Sequence, residues 1–283
     1  MWSTPTDWSQ FETTASSNTG VVQFVGQEAL KERVSPFLEA DEFPHTLLTG
    51  EPGLGKSQFA EWIAVTRNVD YQVLTAPVAE ADLDVAVWKP FVILDEAHKQ
   101  KDSTWLFQLM NQHEYTFIAT TNLPERMDDA FRSRFVMQLR IAPYTLEDMM
   151  KIVLFYSYGG CEDEAPLAVF AAASAGNPRQ ARRIMDTARA LGNFDPEVVL
   201  STVRVTADGA TEEHIAYLEL LSKHDKPLGV NYIATMLYID EKTIKYLERL
   251  LTEMDLVQLT TSGRKLTGRG RAYVHLLEER GLV

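Results

Sequence analysis

Disulfide chemistry is the first thing this chain does without. It holds one cysteine, Cys161, among 283 residues, so no internal bridge can form and a reducing cytoplasmic setting is expected. It also lacks any long apolar run free of charge, which argues against a membrane-spanning helix. Residues 1–8, Met-Trp-Ser-Thr-Pro-Thr-Asp-Trp, have neither the basic nor the apolar stretch of a secretory signal. Positive charge is scarce: 27 Lys and Arg stand against 40 Asp and Glu, a net charge of −13. A surface built throughout to grip nucleic acid would be basic, so only a local basic patch could serve that purpose. No internal repeat is visible. What remains is an ordinary globular composition, 45% hydrophobic, long enough for two or three small domains.

The informative residues are concentrated. Gly50-Glu51-Pro52-Gly53-Leu54-Gly55-Lys56-Ser57 fits G-x-x-x-x-G-K-[ST]. In such a loop the glycines let the backbone turn tightly, and its N–H groups converge on phosphate oxygens. Gly50, Pro52, Gly53, Leu54 and Gly55 are therefore expected to cradle a nucleoside triphosphate. Lys56 would reach its β- and γ-phosphates, and Ser57 would ligate Mg²⁺. Thr46-Leu47-Leu48-Thr49 reads as a buried strand before the loop, and 58–64 reads as the helix after it, whose N-terminal dipole favours the phosphates. A glycine-rich turn that binds nothing would not account for the Lys-Ser pair.

Further chemistry follows in order. Phe91-Val92-Ile93-Leu94 reads as a buried parallel strand, and Asp95-Glu96 sits at its end. Asp95 is expected to hold the metal through water and Glu96 to deprotonate the attacking water. The plainer alternative is a solvated acidic turn. Asn122 ends a second strand, 115–120, within reach of a γ-phosphate or the lytic water, although an Asn there is often a helix cap. Arg134, then Arg132, are candidates for an arginine delivered to a neighbouring subunit's γ-phosphate, with surface ion pairing as the alternative. Arg179, at the start of the helix 180–191, is a candidate to reach back to the nucleotide, with an exposed helix arginine as the alternative.

Domain organisation is expected to run as a flexible leader over 1–20, containing Trp2 and Trp8; an α/β nucleotide-binding domain over 21–143; a helical lid over 144–210; and a winged-helix domain over 211–283. The last rests on helical stretches at 212–222, 229–237 and 241–254, followed by two short strands flanking Ser262-Gly263. Between Ser262 and Tyr273 stand Arg264, Lys265, Arg269 and Arg271 without a single acid, a local patch able to neutralise DNA phosphates. A solvated wing is the alternative, and Tyr273 is expected in the core.

The order of phosphate loop, Asp-Glu, Asn, Ser-Arg-Phe and lid Pro-Arg resembles the AAA+ ATPases. Phe24-Val25-Gly26-Gln27-Glu28, the phosphate loop, Tyr144-Thr145, Gly176-Asn177-Pro178-Arg179 and Thr261–Tyr273 resemble the RuvB family of Holliday-junction branch-migration motors in particular. The resemblance covers about residues 21–283. It implies a parallel P-loop sheet, a small helical lid and a C-terminal winged helix, with Tyr144 on the adenine side of the nucleotide. It further implies ATP and Mg²⁺ as cofactors and a homo-oligomer, commonly a hexameric ring or an open spiral, that couples ATP hydrolysis to DNA translocation or branch migration. A clamp-loader-like or helicase-loader-like remodeller is the second reading, and an ATP-dependent scaffold with little turnover the third. Two departures stand out. The interval 97–121 is short and, with Trp105, Leu106, Phe107, Leu109 and Met110, looks like one helix. The family carries a RuvA-docking hairpin there, so docking of a RuvA-type partner is doubtful. The Arg-Pro element common ahead of the family's adenine pocket is also missing before Val21.

Overall fold

Short strands of branched and aromatic residues, the central ones buried on both faces, build the nucleotide-binding half of the chain. In this computed structural model, which describes residues 24–79, 89–101, 103–112, 114–161 and 163–282, they form one five-stranded sheet. Its strands are β1 (Thr46–Thr49), β2 (Tyr71–Thr75), β3 (Phe91–Asp95), β4 (Thr116–Thr121) and β5 (Met137–Arg140). The order is β2-β3-β4-β1-β5 and every pair is parallel. Leu47, Leu48, Val92, Ile93, Phe117, Ile118 and Ala119 are almost wholly buried, as a sheet covered on both sides requires. The helices of this part are α1 (Glu28–Leu38), α2 (Lys56–Thr66), α3 (Thr104–Met110) and the single turn α4 (Asp129–Arg132). The leader expected over 1–20, with Trp2 and Trp8, lies outside the described residues.

Register sets the position of the site. Thr49 of β1 pairs with Thr121 of β4, and Leu94 of β3 pairs with Ala119. The carboxyl ends of β1, β3 and β4 therefore stand side by side. Because β1 is inserted between β4 and β5, these ends border the crevice where parallel sheets bind ligands. Between β3 and β4 the described residues contain a 3₁₀ turn, Ala97–Lys99, and α3, with no strand among them. Trp105, Leu106, Leu109 and Met110 of α3 join Phe117, Phe131 and Phe135 in one apolar cluster. The single helix expected in this interval is present.

By its contacts the described chain divides into two units, one reaching to Phe155 and including Asn177–Arg179, the other comprising 156–176 and 180 onward. The second unit takes in the end of α5 (Leu146–Ser157), α6 (Glu164–Ala173), most of α7 (Pro178–Leu191) and α8 (Pro196–Val203). It continues with α9 (Glu212–Ser222), α10 (Val230–Leu237), α11 (Glu241–Glu253), the antiparallel hairpin β6 (Val257–Thr260) and β7 (Gly263–Leu266), and α12 (Gly268–Glu279). Asp163, Asp195, Asp240 and Thr267 cap their helices by accepting first-turn N–H groups. Tyr217, Leu218, Leu221, Ile233, Ile244, Leu251, Leu256 and Val274 share the core of the α9–α12 region. Leu228 pairs with Arg264 beside the hairpin, adding a short third edge.

One expectation changes here. The wing does not extend to Tyr273: it ends at Leu266, and Arg269 and Arg271 stand on the first turn of α12. Gly268 and Gly270 hide that helix in the sequence, since glycine is a poor helix former. Tertiary packing demands the second of them, because a Cβ on Gly270 would lie 2.1 Å from the Leu256 carbonyl oxygen. Tyr273 is half-buried against the core, as expected, and its hydroxyl donates to Asp208 at 2.8 Å.

Candidate nucleotide site and basic patch

The loop between β1 and α2 turns through Gly50, Gly53 and Gly55 at φ of 149°, 86° and 83°. These values explain the glycines, and at Gly53 space does so too. A Cβ there would lie 2.5 Å from Asn177 Oδ1 and 2.8 Å from the Arg179 Cβ. The segment before α7 is strapped to the loop: Asn177 Nδ2 donates to the Pro52 carbonyl at 3.0 Å, and the Arg179 N–H reaches Gly53 O at 3.3 Å. Leu54 is fully buried, and its carbonyl accepts from the Tyr144 hydroxyl at 3.2 Å. Asn177 has no role in the sequence reading beyond its place in Gly-Asn-Pro-Arg, and the strap is a tertiary fact.

Lys56 opens α2 and is buried, its ammonium donating to the carbonyls of Gly50 and Glu51 at 3.1 and 2.9 Å. Burial lowers its pKa from the ordinary lysine value, while Asp95 and Glu96 pull it back up. Ser57 follows on the same first turn. Asp95 ends β3, where its Oδ1 accepts from the Thr120 hydroxyl and from the Glu96 N–H at 3.1 Å. Glu96 sits in the left-handed region at φ 56°. Its carboxylate meets Lys99 Nζ at 3.2 Å and His98 Nε2 at 3.7 Å. Asn122 follows β4, and its Oδ1 is buried without a hydrogen-bond partner. Such an atom is costly to leave unpaired and is rare in folded proteins. On α2, burial and then Asp95 push the Glu61 carboxyl above its usual range; the sequence reading does not single it out.

Beside the loop lies an aromatic wall. Phe24 and Phe59 rings are 5.0 Å apart, Phe59 and Trp62 stack at 5.3 Å, and Phe24 and Tyr144 are 6.5 Å apart. Gln27 Nε2 donates to the Ala142 carbonyl at 2.7 Å, so the segment ahead of α1 and the segment after β5 close together on this side. The structure thus gathers Gly50–Ser57, Asp95, Glu96, Asn122, Tyr144 and Arg179 around one loop. Arg132 and Arg134 are elsewhere. Arg132 pairs with Asp129 at 2.7 Å, while Arg134 donates to Asn111 Oδ1 at 2.8 Å and covers the Phe107 ring.

The basic patch is less uniform than its sequence. Arg264 turns inward: Nε donates to Glu248 Oε1 at 2.7 Å, and the Tyr217 hydroxyl donates to the same oxygen at 2.9 Å. Glu248 is buried, so Arg264 is committed to neutralising it and is not a free cation for DNA. Lys265, Arg269 and Arg271 are exposed.

Two family models match this chain: the Holliday junction DNA helicase RuvB P-loop domain over residues 18–103, and the RuvB C-terminal winged helix domain over residues 207–275. Together they span more than half of it. The chain belongs to the RuvB family. Similar RuvB subunits include that of Campylobacter hominis, 26% identical over 298 residues and covering 89% of this chain and 87% of the relative. That of Aliarcobacter butzleri is 27% identical, covering 85% and 83%. The Thermotoga maritima RuvB branch migration motor shares the fold at a TM-score of 0.74 and 24% identity, over 89% of this chain and 95% of its own. As a RuvB-family P-loop protein the chain is an ATPase, with a parallel sheet followed by a C-terminal winged helix.

Proposed function

We propose that this RuvB-family ATPase assembles as a ring or open spiral and couples ATP hydrolysis to translocation of DNA or branch migration. The observation that carries the catalytic part is the buried Asn122 Oδ1, without a hydrogen-bond partner, just past the end of β4, the strand that lies between β1 and β3. A buried acceptor with no partner suits a group that arrives with the substrate: the lytic water. In this reading the loop 50–55 holds the phosphates through its backbone. Pro52 and Leu54 fix its shape through the carbonyls that Asn177 and Tyr144 bind. Lys56 exchanges its two carbonyl contacts for phosphate oxygens. Arg179 approaches the same phosphates, and the Tyr144 side of the aromatic wall receives the base.

The donor set fits Mg²⁺, with Ser57 and Asp95 as its holders; the ion would neutralise charge developing on the phosphates. Among the described residues no cluster of three acidic, His or Cys side chains could hold an ion alone, so such an ion would depend on the nucleotide's oxygens. Glu96 accepts a proton from the attacking water. Arg134, or failing it Arg132, reaches the nucleotide of the adjacent subunit, since neither is bonded to the loop of its own chain. Lys265, Arg269 and Arg271 bind DNA phosphates. The leader over 1–20, nucleotide domain to 143, lid to 210 and winged helix beyond remain our division of the chain, and a cytoplasmic place suits it. We do not expect a RuvA-type partner to dock at 97–121, where α3 takes the place of a hairpin. The same observation favours the second reading, a loader-like remodeller of a protein on DNA.

Turnover measured with and without DNA separates these readings. A DNA motor is expected to be stimulated by DNA alone and to displace a strand or move a junction. A remodeller would need a protein partner for stimulation. A chain that binds ATP in Mg²⁺ but never turns over would be the scaffold, and the proposal would fall.

A further inference from the structure

We infer that His98 is a positioning residue that ties Glu96 to the loop carrying Asn122, an inference that rests on the assignment of Glu96 as general base. The sequence offers His98 only as part of Asp-Glu-Ala-His. In the fold, the 3₁₀ turn Ala97–Lys99 carries its imidazole back across the end of β4. Nδ1 lies 3.0 Å from Thr121 Oγ1, and Nε2 lies 3.7 Å from Glu96 Oε2. The side chain is 8% exposed, so water competes little with these contacts.

Proton bookkeeping orders the chain. Thr121 Oγ1 accepts the Leu123 N–H at 3.0 Å, which leaves its own proton to donate. In the neutral tautomer with its hydrogen on Nε2, His98 Nδ1 accepts from the Thr121 hydroxyl and Nε2–H faces Glu96. The result is a relay of contacts, Leu123 to Thr121 to His98 to Glu96, that brackets Asn122 on both sides in sequence. Lys99 also touches Glu96, but its side chain is 51% exposed, and a screened, mobile ammonium is a weak geometric constraint. The buried imidazole is the rigid one.

The test uses the full-length assembled protein with ATP and Mg²⁺. His98→Leu and Thr121→Val are each expected to lower kcat about ten- to a hundredfold, the range seen when groups supporting an active residue are removed. Affinity for a fluorescent ATP analogue should stay within about twofold of the parent, since neither residue holds the phosphates. The double variant should be no slower than the worse single, because both substitutions cut one chain. His98→Gln, which keeps an acceptor and an N–H donor, should recover part of the rate. Unchanged kcat in the single variants would overturn the inference, as would independent losses that multiply in the double, or kcat falling together with affinity and melting temperature. If His98→Leu does not fold, Thr121→Val and His98→Gln decide by the same readouts. Glu96→Gln run alongside separates the levels: parental turnover there defeats the general-base assignment itself, whereas a dead Glu96→Gln beside an unaffected Thr121→Val defeats only the role of His98.

Discussion

Lys56 is held by two backbone carbonyls in a buried position, its pKa lowered by desolvation. A charge placed there at a cost has to be offset when phosphates arrive, so its removal should show mainly in binding. Lys56→Ala is expected to weaken ATP affinity about ten- to a hundredfold, in line with the loss of roughly 1.5–3 kcal/mol for a charged hydrogen bond; nucleotide titration measures it. Glu96→Gln should bind ATP normally and lose turnover by a hundredfold or more. His214 is a residue of another kind. It sits at the third position of α9, and its Nδ1 accepts from both the N–H and the hydroxyl of Thr211, at 3.1 and 2.8 Å. Burial, then the nearby Arg249, push its pKa down to about 4, against a smaller opposing pull from Asp208. The unfolded chain binds the proton more readily, so stability is full above about pH 6.5 and declines as pH falls toward 4. The loss should total roughly 3 kcal/mol from this group. His214→Gln keeps the capping geometry without titrating. Melting curves across that window should show a flatter acid limb for the variant; equal slopes would refute the assignment. His45, partly buried and with a lowered pKa, contributes to both proteins alike, so the difference isolates His214.

Among the elements, the hairpin β6–β7 is anchored by a buried ionic cluster rather than left free for DNA. Arg264→Ala would strand Glu248, 5% exposed, with only Tyr217, at a cost of about 3 kcal/mol or more. That variant should therefore melt early, and any loss of DNA binding in it would follow from unfolding. Charge reversal at Lys265, Arg269 and Arg271 should leave the melting temperature nearly unchanged. It should reduce DNA affinity and flatten its salt dependence by about 0.9 in log–log slope per lost phosphate contact. Affinity insensitive to these three residues and to salt would remove them from the interface.

For the whole molecule the question is where Arg134 acts. Its hydrogen bond to Asn111 and its place over Phe107 hold it on the α3 side of its own chain, away from its own phosphate loop. If the active site is shared between neighbours, Arg134→Ala and Glu96→Gln should each be nearly inactive alone. Mixed assemblies should regain a measurable fraction of turnover, because some interfaces receive both native residues. Full activity of Arg134→Ala by itself would move the role to Arg132 or discard the shared site.

Sequence alone determined the phosphate loop, the buried strands that flank it, the helices of the winged-helix region and the kinship with RuvB. These are written in local chemistry: glycines where φ must be positive, apolar runs where a strand is covered on both faces, helical spacing over α9 to α11. Even the interval after Glu96 was legible, because its run of Trp105, Leu106, Phe107, Leu109 and Met110 reads as the helix that α3 forms. Tertiary structure alone decided which side chains meet across distance. Asn177 straps Pro52 from 125 residues away, a pairing no local pattern encodes. Arg264 looks like its basic neighbours until the fold sets it against Glu248, and Arg269 and Arg271 move from wing to helix because Gly270 must pack under Leu256. The lone acceptor on Asn122 and the imidazole beside Glu96 likewise have meaning only in three dimensions, where strand register brings the ends of β1, β3 and β4 together.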